Sequence, residues 1–293
     1  VALTEDEARD LVKGLWKDWA QERADFDLYD RYYTGDHPLP KDPPRLTAAY
    51  AEMLTMSISN WSKLVVDVVS ERLDIASIVT SKQTEREKTA WEWWQANNLD
   101  FQSANIHVSA LKHGVAYAAI GKPLDGQKAP RIIGHPATQV HVRYDPDTGK
   151  ALAGIKVWQG RDGKTYVTMY DDEAAYRFVS PGKTQAADTY SPVVAATDTQ
   201  ALDLRNDAED GGWVVPNPLQ QVPFVQFRCQ PDLVGGYASE IAAIIPIQDR
   251  INKTTFHRLL AQEFTAFPQR WVTGIDIPLD PVTGEPIEPF EAA

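Results

Sequence analysis

The chain reads as an α+β protein: a helical first third leads into an antiparallel sheet and then into one long helix. Three observations predict this. Apolar residues recur at helical spacing through roughly the first 119 positions. Between residues 131 and 227 the period shortens to two, and turn signals punctuate it. From 239 to 264 a partly polar helical pattern runs on with Pro246 as its only breaker.

In chain order, Thr4-Glu5-Asp6-Glu7 is a capping box, and Ala8, Leu11, Val12, Leu15, Trp16 and Trp19 share the face that follows. The prolines of residues 36–44 make a rigid loop. Asn60 or Ser59 caps a second helix, in which Trp61, Leu64, Val65, Val68, Val69 and Leu73 keep the i, i+3, i+4, i+7 spacing. Thr84-Glu85-Arg86-Glu87 opens a third, carrying Trp91, Trp93 and Trp94 and ending at Asn97-Asn98. Asp100 is expected to cap the next, with Phe101, Ala104, Val108, Leu111, Val115 and Ala118 on one stripe.

The sheet follows. Residues 139–144 and 151–158 alternate around Asp145-Pro146-Asp147-Thr148-Gly149, and Arg161-Asp162-Gly163-Lys164 turns the chain into 165–170 and 176–179. Tight turns between neighbours require antiparallel pairing. Residues 180–212 read as a mobile acidic loop, and 222–227 as one more strand.

The long helix begins at Ser239, a cap with Glu240 set against the positive end of the helix dipole. At 1.5 Å per residue it extends roughly 39 Å. Ile241, Ile244, Ile245, Gln248, Asn252, Thr255, Leu259, Gln262 and Phe267 form its mixed stripe. Asp249, Arg250, Lys253, Arg258 and Glu263 distribute opposite charges around it, with Asp249 and Lys253 at pairing distance along the helix. In a ring of parallel copies such charges become intersubunit or channel residues. Gly235, Gly236 and Pro268 mark candidate hinges at its ends.

Composition narrows the function. The 293 residues carry a net charge of −12, unevenly placed. Residues 171–212 hold nine acids and three bases, and residues 271–293 hold five acids and no base. Residues 101–170 carry nine bases against four acids. Duplex affinity comes from neutralised phosphates, so an acidic chain is a poor clamp; the acidic stretches read as solvated loops, with a surface that lets polyanion slide past as the sharper alternative. No apolar run reaches the ~18 residues of a membrane span, and the N-terminus lacks a signal-peptide pattern. The single cysteine, Cys229, excludes an intrachain disulfide and a cysteine-based zinc site.

Enzyme signatures are missing: there is no GxGxxG, P-loop, HExxH or GxSxG. His135 and His141 have no carboxylate at metal-ligand spacing, and His37, His107, His113 and His257 read as packing or surface residues. Asp171-Asp172-Glu173 reads as a solvated turn, and Gly235-Gly236 as a hinge before an anion nest. Trp91 and Trp94 share a helix face, which favours core or interface packing over a sugar platform. No catalytic, metal or cofactor residue is assigned.

A series of ordered motifs remains. It comprises Tyr29-x-x-Tyr32-Tyr33-x-Gly35, Asn60 with residues 63–73, Trp94-Gln95-Ala96-Asn97-Asn98-Leu99-Asp100, and His113-Gly114-Val115-Ala116-Tyr117. It continues with Asp145-Pro146-Asp147-Thr148-Gly149, Val222-Pro223-Phe224-Val225, Gly236-x-x-Ser239-Glu240, residues 248–253 and Ala266-Phe267-Pro268-Gln269-Arg270. In order and spacing this series resembles the portal proteins of long-tailed bacteriophages, especially those of phages that infect actinobacteria. The resemblance implies a dodecameric ring at the capsid vertex through which double-stranded DNA is packaged and ejected. It implies contacts with a terminase, the major capsid protein and head-completion or adaptor proteins, a place in the virion after assembly in the host cytoplasm, and no cofactor, membrane or ATPase activity. On that pattern residues 1–237 are the wing, 238–267 a stem helix and 268–293 the start of the clip. The family continues through a second stem helix and a crown, so a longer chain is expected. The other reading open at this point is a ligand-binding module or enzyme built on the aromatic N-terminal half.

Overall fold

The computed structural model describes residues 2–38, 48–79, 85–124, 126–183, 202–206 and 212–266. The expected capping residue Thr84, most of the proline-rich loop, Phe267, Pro268 and everything after it lie outside these residues.

Helix α1 (Glu5–Thr34) spans 30 residues and is longer than the sequence pattern suggested. It starts at the expected Thr4–Glu7 capping box and stops at Gly35, whose φ of 90° lets its N–H return to the Arg31 carbonyl. Helices α2 (Ala48–Met56), α3 (Trp61–Ser70), α4 (Glu85–Ala96) and α5 (Leu99–His113) follow. Among the described residues the strands then run from β1 (Val115–Gly121) through β2 (Arg131–Pro136), β3 (Val140–Tyr144), β4 (Ala151–Gln159), β5 (Lys164–Tyr170), β6 (Ala174–Lys183), β7 (Asp203–Leu204), β8 (Val214–Pro216) and β9 (Phe224–Arg228). Helix α6 (Glu240–Ala266) closes the described chain.

All strand pairs are antiparallel, as expected, but they form two sheets. The larger is the meander β3-β4-β5-β6-β7, with β8 also paired to β6. The smaller has the order β2-β1-β9, so the strand before the long helix joins β1 rather than the meander. Helix α1 spans both. Its first half buries Ala8, Val12, Leu15, Trp16 and Trp19 against Ile155, Val157, Val167, Met169 and Tyr176 of the large sheet. Its second half sends Phe26 into a core shared by β1, β3 and β9. A Cβ at Gly154 on β4 would meet the Phe224 ring on β9 at 3.0 Å, so glycine is what lets the two sheets approach.

Four sequence expectations need correction. Residues 115–118 are strand and not the end of a helix: Gly114, at φ 86°, ends α5, and β1 then runs between β2 and β9. Both faces of β1 are buried, with Ala116 and Ala118 toward α5 and Val115 and Tyr117 toward the other core, so its sequence shows no alternation. Phe101, placed on that supposed stripe, is 66% exposed. Asp100 is not the cap of α5; Asn98 holds that position at φ 51°, and Asp100 instead accepts the Trp94 indole N–H at 2.6 Å. The acidic stretch at 180–212 is not all loop, because β6 extends through Lys183, Leu202 is buried and β7 pairs with β6. Finally, α3 buries Ser62 and Val66, while Trp61, Leu64, Val68, Val69 and Leu73 face outward. Helices α1, α5 and α6 pack on α3, and they take its small-residue side.

Other expectations hold. Asn60 caps α3 by accepting the Lys63 N–H at 3.0 Å. The 145–149 turn closes through Asp145 Oδ1, which accepts from Asp147 and Thr148, with Gly149 at φ 66°. Asp171 organises the β5–β6 turn in the same way, accepting from Glu173 and Ala174. Trp91 and Trp94 do share a face and stack at 6.2 Å, yet α4 buries no residue.

Candidate functional site

The site built with most care is the seat of α6. Its N-terminus rests on the end of α5, and Gly114 makes that approach possible: a Cβ there would lie 2.8 Å from the Tyr237 ring and 3.1 Å from the backbone of Ala238 and Ser239. Ser239 caps α6 as expected, accepting from Ile241 N at 3.0 Å and Ala242 N at 3.3 Å. The same hydroxyl donates to the Lys112 carbonyl at 2.5 Å, so one side chain satisfies the free ends of two helices. Glu240 accepts from the Gln230 side chain at 2.7 Å and lies 3.7 Å from the Cys229 sulfur. Burial and that carboxylate push the Cys229 thiol up to about 11, which keeps it protonated and a poor nucleophile.

The turn before α6 is organised by Asp232, whose Oδ1 accepts from Val234 and Gly236. Gly235 has φ 87°, and a Cβ at Gly236 would sit 2.6 Å from Asp232 Oδ2. Both candidate hinge glycines therefore lie in a closed, hydrogen-bonded turn. Its tip, Leu233 and Val234, is fully exposed beside an open 740 Å³ cleft lined by Glu22, Tyr117, Tyr144 and Tyr237. Burial, joined by Glu22, pushes the Tyr237 hydroxyl far up, and burial lifts Tyr144 to about 12, so these phenols remain neutral donors.

Two turns into α6, the mixed stripe becomes a buried polar network. Gln248 and Asn252 are 0% and 1% exposed. Gln248 Oε1 accepts from Trp61 N at 2.9 Å, and its Nε2 donates to the Ser59 carbonyl at 2.6 Å and to Asn252 Oδ1 at 2.8 Å. Asn252 Oδ1 also accepts from Ser59 N at 3.2 Å. The Asn252 amide nitrogen lies 3.1 Å from His37 Nδ1, while His37 Nε2 lies 3.0 Å from the Tyr32 carbonyl. A carbonyl can only accept, so Nε2 carries the His37 proton and Nδ1 receives the Asn252 N–H. Every role in the chain is thereby fixed, and α6 is locked in register against α1, the Ser59 segment and the start of α3. The signal available in the sequence was Gln and Asn four residues apart on the mixed stripe; what His37 does could not be read from it.

Beside this network Tyr32 donates to Asp249 at 2.5 Å, and burial together with that carboxylate pushes its hydroxyl up. Below it, Asp30 joins Lys112 at 2.5 Å and His113 at 3.0 Å. Burial raises the Asp30 carboxyl, but the two partners outweigh it and hold it below the ordinary range. Burial lowers His113, which stays neutral and donates its Nε2 proton to Asp30.

The predicted helix charges fall on different sides of α6. At 3.6 residues per turn, Ile241, Gln248, Asn252 and Phe256 define the seated side. Asp249 lies on one edge and is engaged by Tyr32 rather than paired with Lys253. Glu263 lines the groove between α6 and α2 with Glu52, Met53 and Met56. Arg250 points away from the body, and Lys253 and Arg258 lie on the two flanks of that outward face; all three are exposed. Among the described residues no group of three or more His, Cys, Asp or Glu could hold a metal ion, and no helix is long and apolar enough to cross a membrane.

The chain matches a family model described as phage portal protein, SPP1 Gp6-like, over residues 12–289. Among curated relatives, the portal protein of Mycobacterium phage L5 is 29% identical over 239 residues, which cover 77% of this chain and 44% of the relative. That of Mycobacterium phage D29 is 27% identical over 243 residues, with the same coverage of each. The chain thus spans less than half the length of the curated relatives it matches.

Proposed function

Since this chain belongs to the SPP1 Gp6-like family of phage portal proteins, we propose that it supplies the wing and first stem helix of a ring-shaped channel at the capsid vertex. Double-stranded DNA passes through the ring during packaging and ejection. Terminase, the major capsid protein and head-completion or adaptor proteins attach to it, and its work is mechanical rather than catalytic. The ring is expected to hold twelve copies. Residues up to 237 form the wing, 238–267 the stem helix and 268–293 the entry to the clip, with Gly235, Gly236 and Pro268 as candidate borders.

One observation carries this reading beyond family membership: among the described residues, α6 is fastened to the body along one side, and nothing packs on its opposite side. Gln248 and Asn252 anchor it, while Arg250 faces away. A helix attached in this way can act as one stave of a ring whose bodies radiate outward. The rival reading, a ligand module using the N-terminal aromatics, is less favoured, because Tyr32 is core, Tyr29 and Tyr33 pack against it, and Trp91 and Trp94 stack on each other. Electron microscopy and native mass measurement of the full-length protein test the proposal. A closed ring supports it; a strict monomer under native salt overturns it.

A further inference from the structure

Helix α6 carries a charge asymmetry that neither its register nor its anchoring requires. From Arg250 to Gln262 the sequence contains three cations, Arg250, Lys253 and Arg258, together with His257 and no carboxylate, in a chain of net charge −12. The two acids of its midsection and end are placed elsewhere, Asp249 against Tyr32 and Glu263 in the α2 groove. Among the described residues no carboxylate lies within ion-pair distance of Arg250, Lys253 or Arg258. The cations therefore lie along about 12 Å of α6, Arg250 on the side turned from the body and Lys253 and Arg258 on either flank of it.

We infer that this outward face is a contact surface for the phosphates of duplex DNA, with Arg250 at its centre and Lys253 and Arg258 on its two flanks. The inference rests on the portal reading, and it names which side of the stave meets the polyanion. Charge complementarity decides the occupant. A two-fold contact through this face would set Arg250 against its own counterpart, which repels, and a head-to-tail ring contact would have to bring carboxylates of the neighbour opposite these cations. A duplex presents about one negative charge per 1.7 Å of axis, so the stripe spans the length of three to four base pairs. Along the same face Thr254 and His257 lie between the cations, and the small Ala243 and Ala261 lie beyond either end. Such a sparse stripe on an acidic protein grips weakly and in a salt-dependent way, which suits a strand that must slide.

The test uses the full-length protein and Arg250→Gln/Lys253→Gln, with a Lys122→Gln/Lys128→Gln control that removes two exposed charges from the basic 101–170 segment. Particle size is followed by electron microscopy, and binding of a labelled 30-base-pair duplex by fluorescence anisotropy from low to physiological salt. The inference expects intact particles, at least about tenfold weaker binding at 50 mM salt and a log–log salt slope shallower by about 2 for each subunit that touches the duplex, since each phosphate contact contributes about 0.9. The control should leave the slope unchanged. Unchanged binding by an intact variant ring would overturn the inference and leave the portal reading standing. Loss of the particle on substitution would make this face a subunit interface, also overturning it. Failure of the unsubstituted protein to form a ring would remove the portal reading, and the inference with it.

Discussion

Replacing Asn252 with alanine removes the centre of the network that seats α6. Three groups lose a partner: the His37 Nδ1 lone pair, the Ser59 N–H and one N–H of Gln248. Each buried group left unsatisfied costs about 1–3 kcal/mol. Gln248 keeps its bond to the Ser59 carbonyl and Ser59 is only half-buried, so water relieves part of the loss. The sum is about 3 kcal/mol, or roughly 6–10 °C in Tm. Arg250→Ala is the matched control, two residues away on the bare face, and should change stability by no more than about 0.5 kcal/mol. Urea unfolding followed by tryptophan fluorescence reports both, with Trp61 bonded directly to the network through Gln248. A double-mutant cycle with Gln248→Ala should show coupling of about 1 kcal/mol. If Asn252→Ala costs no more than Arg250→Ala at an unchanged m-value, the anchoring argument is wrong.

Three further outcomes follow from the geometry. Gly114→Ala should cost about 3 kcal/mol, because it adds left-handed strain to a 2.8 Å clash with Tyr237, whereas Gly149→Ala, at φ 66° with nothing within 4 Å, should cost about 1 kcal/mol; equal costs in parallel denaturant titrations would refute the close-approach reading. Burial, with Lys156 and Arg131 nearby, lowers His135 from 6.5 to about 4, so its contribution is complete above pH 6.5 and is lost as pH falls toward 4, about 3 kcal/mol in all; His135→Leu should flatten that limb of the stability–pH curve, and parallel curves would contradict it. Asp30→Asn should cost about 3 kcal/mol at pH 7 by stranding Lys112, and, because the native carboxyl is depressed, the difference from wild type should shrink as the pH falls below about 4; a constant difference between pH 7 and pH 3 would rule out the charge-pair account.

Elements whose signals are local were legible in the sequence. The Thr4 box, the Asn60 and Ser239 caps and the Asp145, Asp162 and Asp171 turns depend on residues within a few positions of one another, and the structure forms each of them. Strand β1 was hidden because burial on both faces erases alternation and leaves alanines that suit a helix equally well. The outward turn of the α3 stripe was hidden for a related reason: periodicity reports that a helix has an apolar side, and only tertiary packing selects which side is covered. At the candidate site the helix and its charges were readable. The partners His37, Ser59 and Tyr32 lie roughly 190 to 215 residues from theirs and could not be paired from spacing.

A cryo-electron microscopy reconstruction of the assembled full-length protein measures the central claim most directly, through the distances of Arg250 and Asn252 from the symmetry axis. A closed ring with the Arg250 side chain nearer the axis than Asn252, and the Gln248–Asn252–His37 network intact in every subunit, is the predicted result. A monomer, or a ring in which Arg250 points away from the channel and Asn252 toward it, would contradict the account.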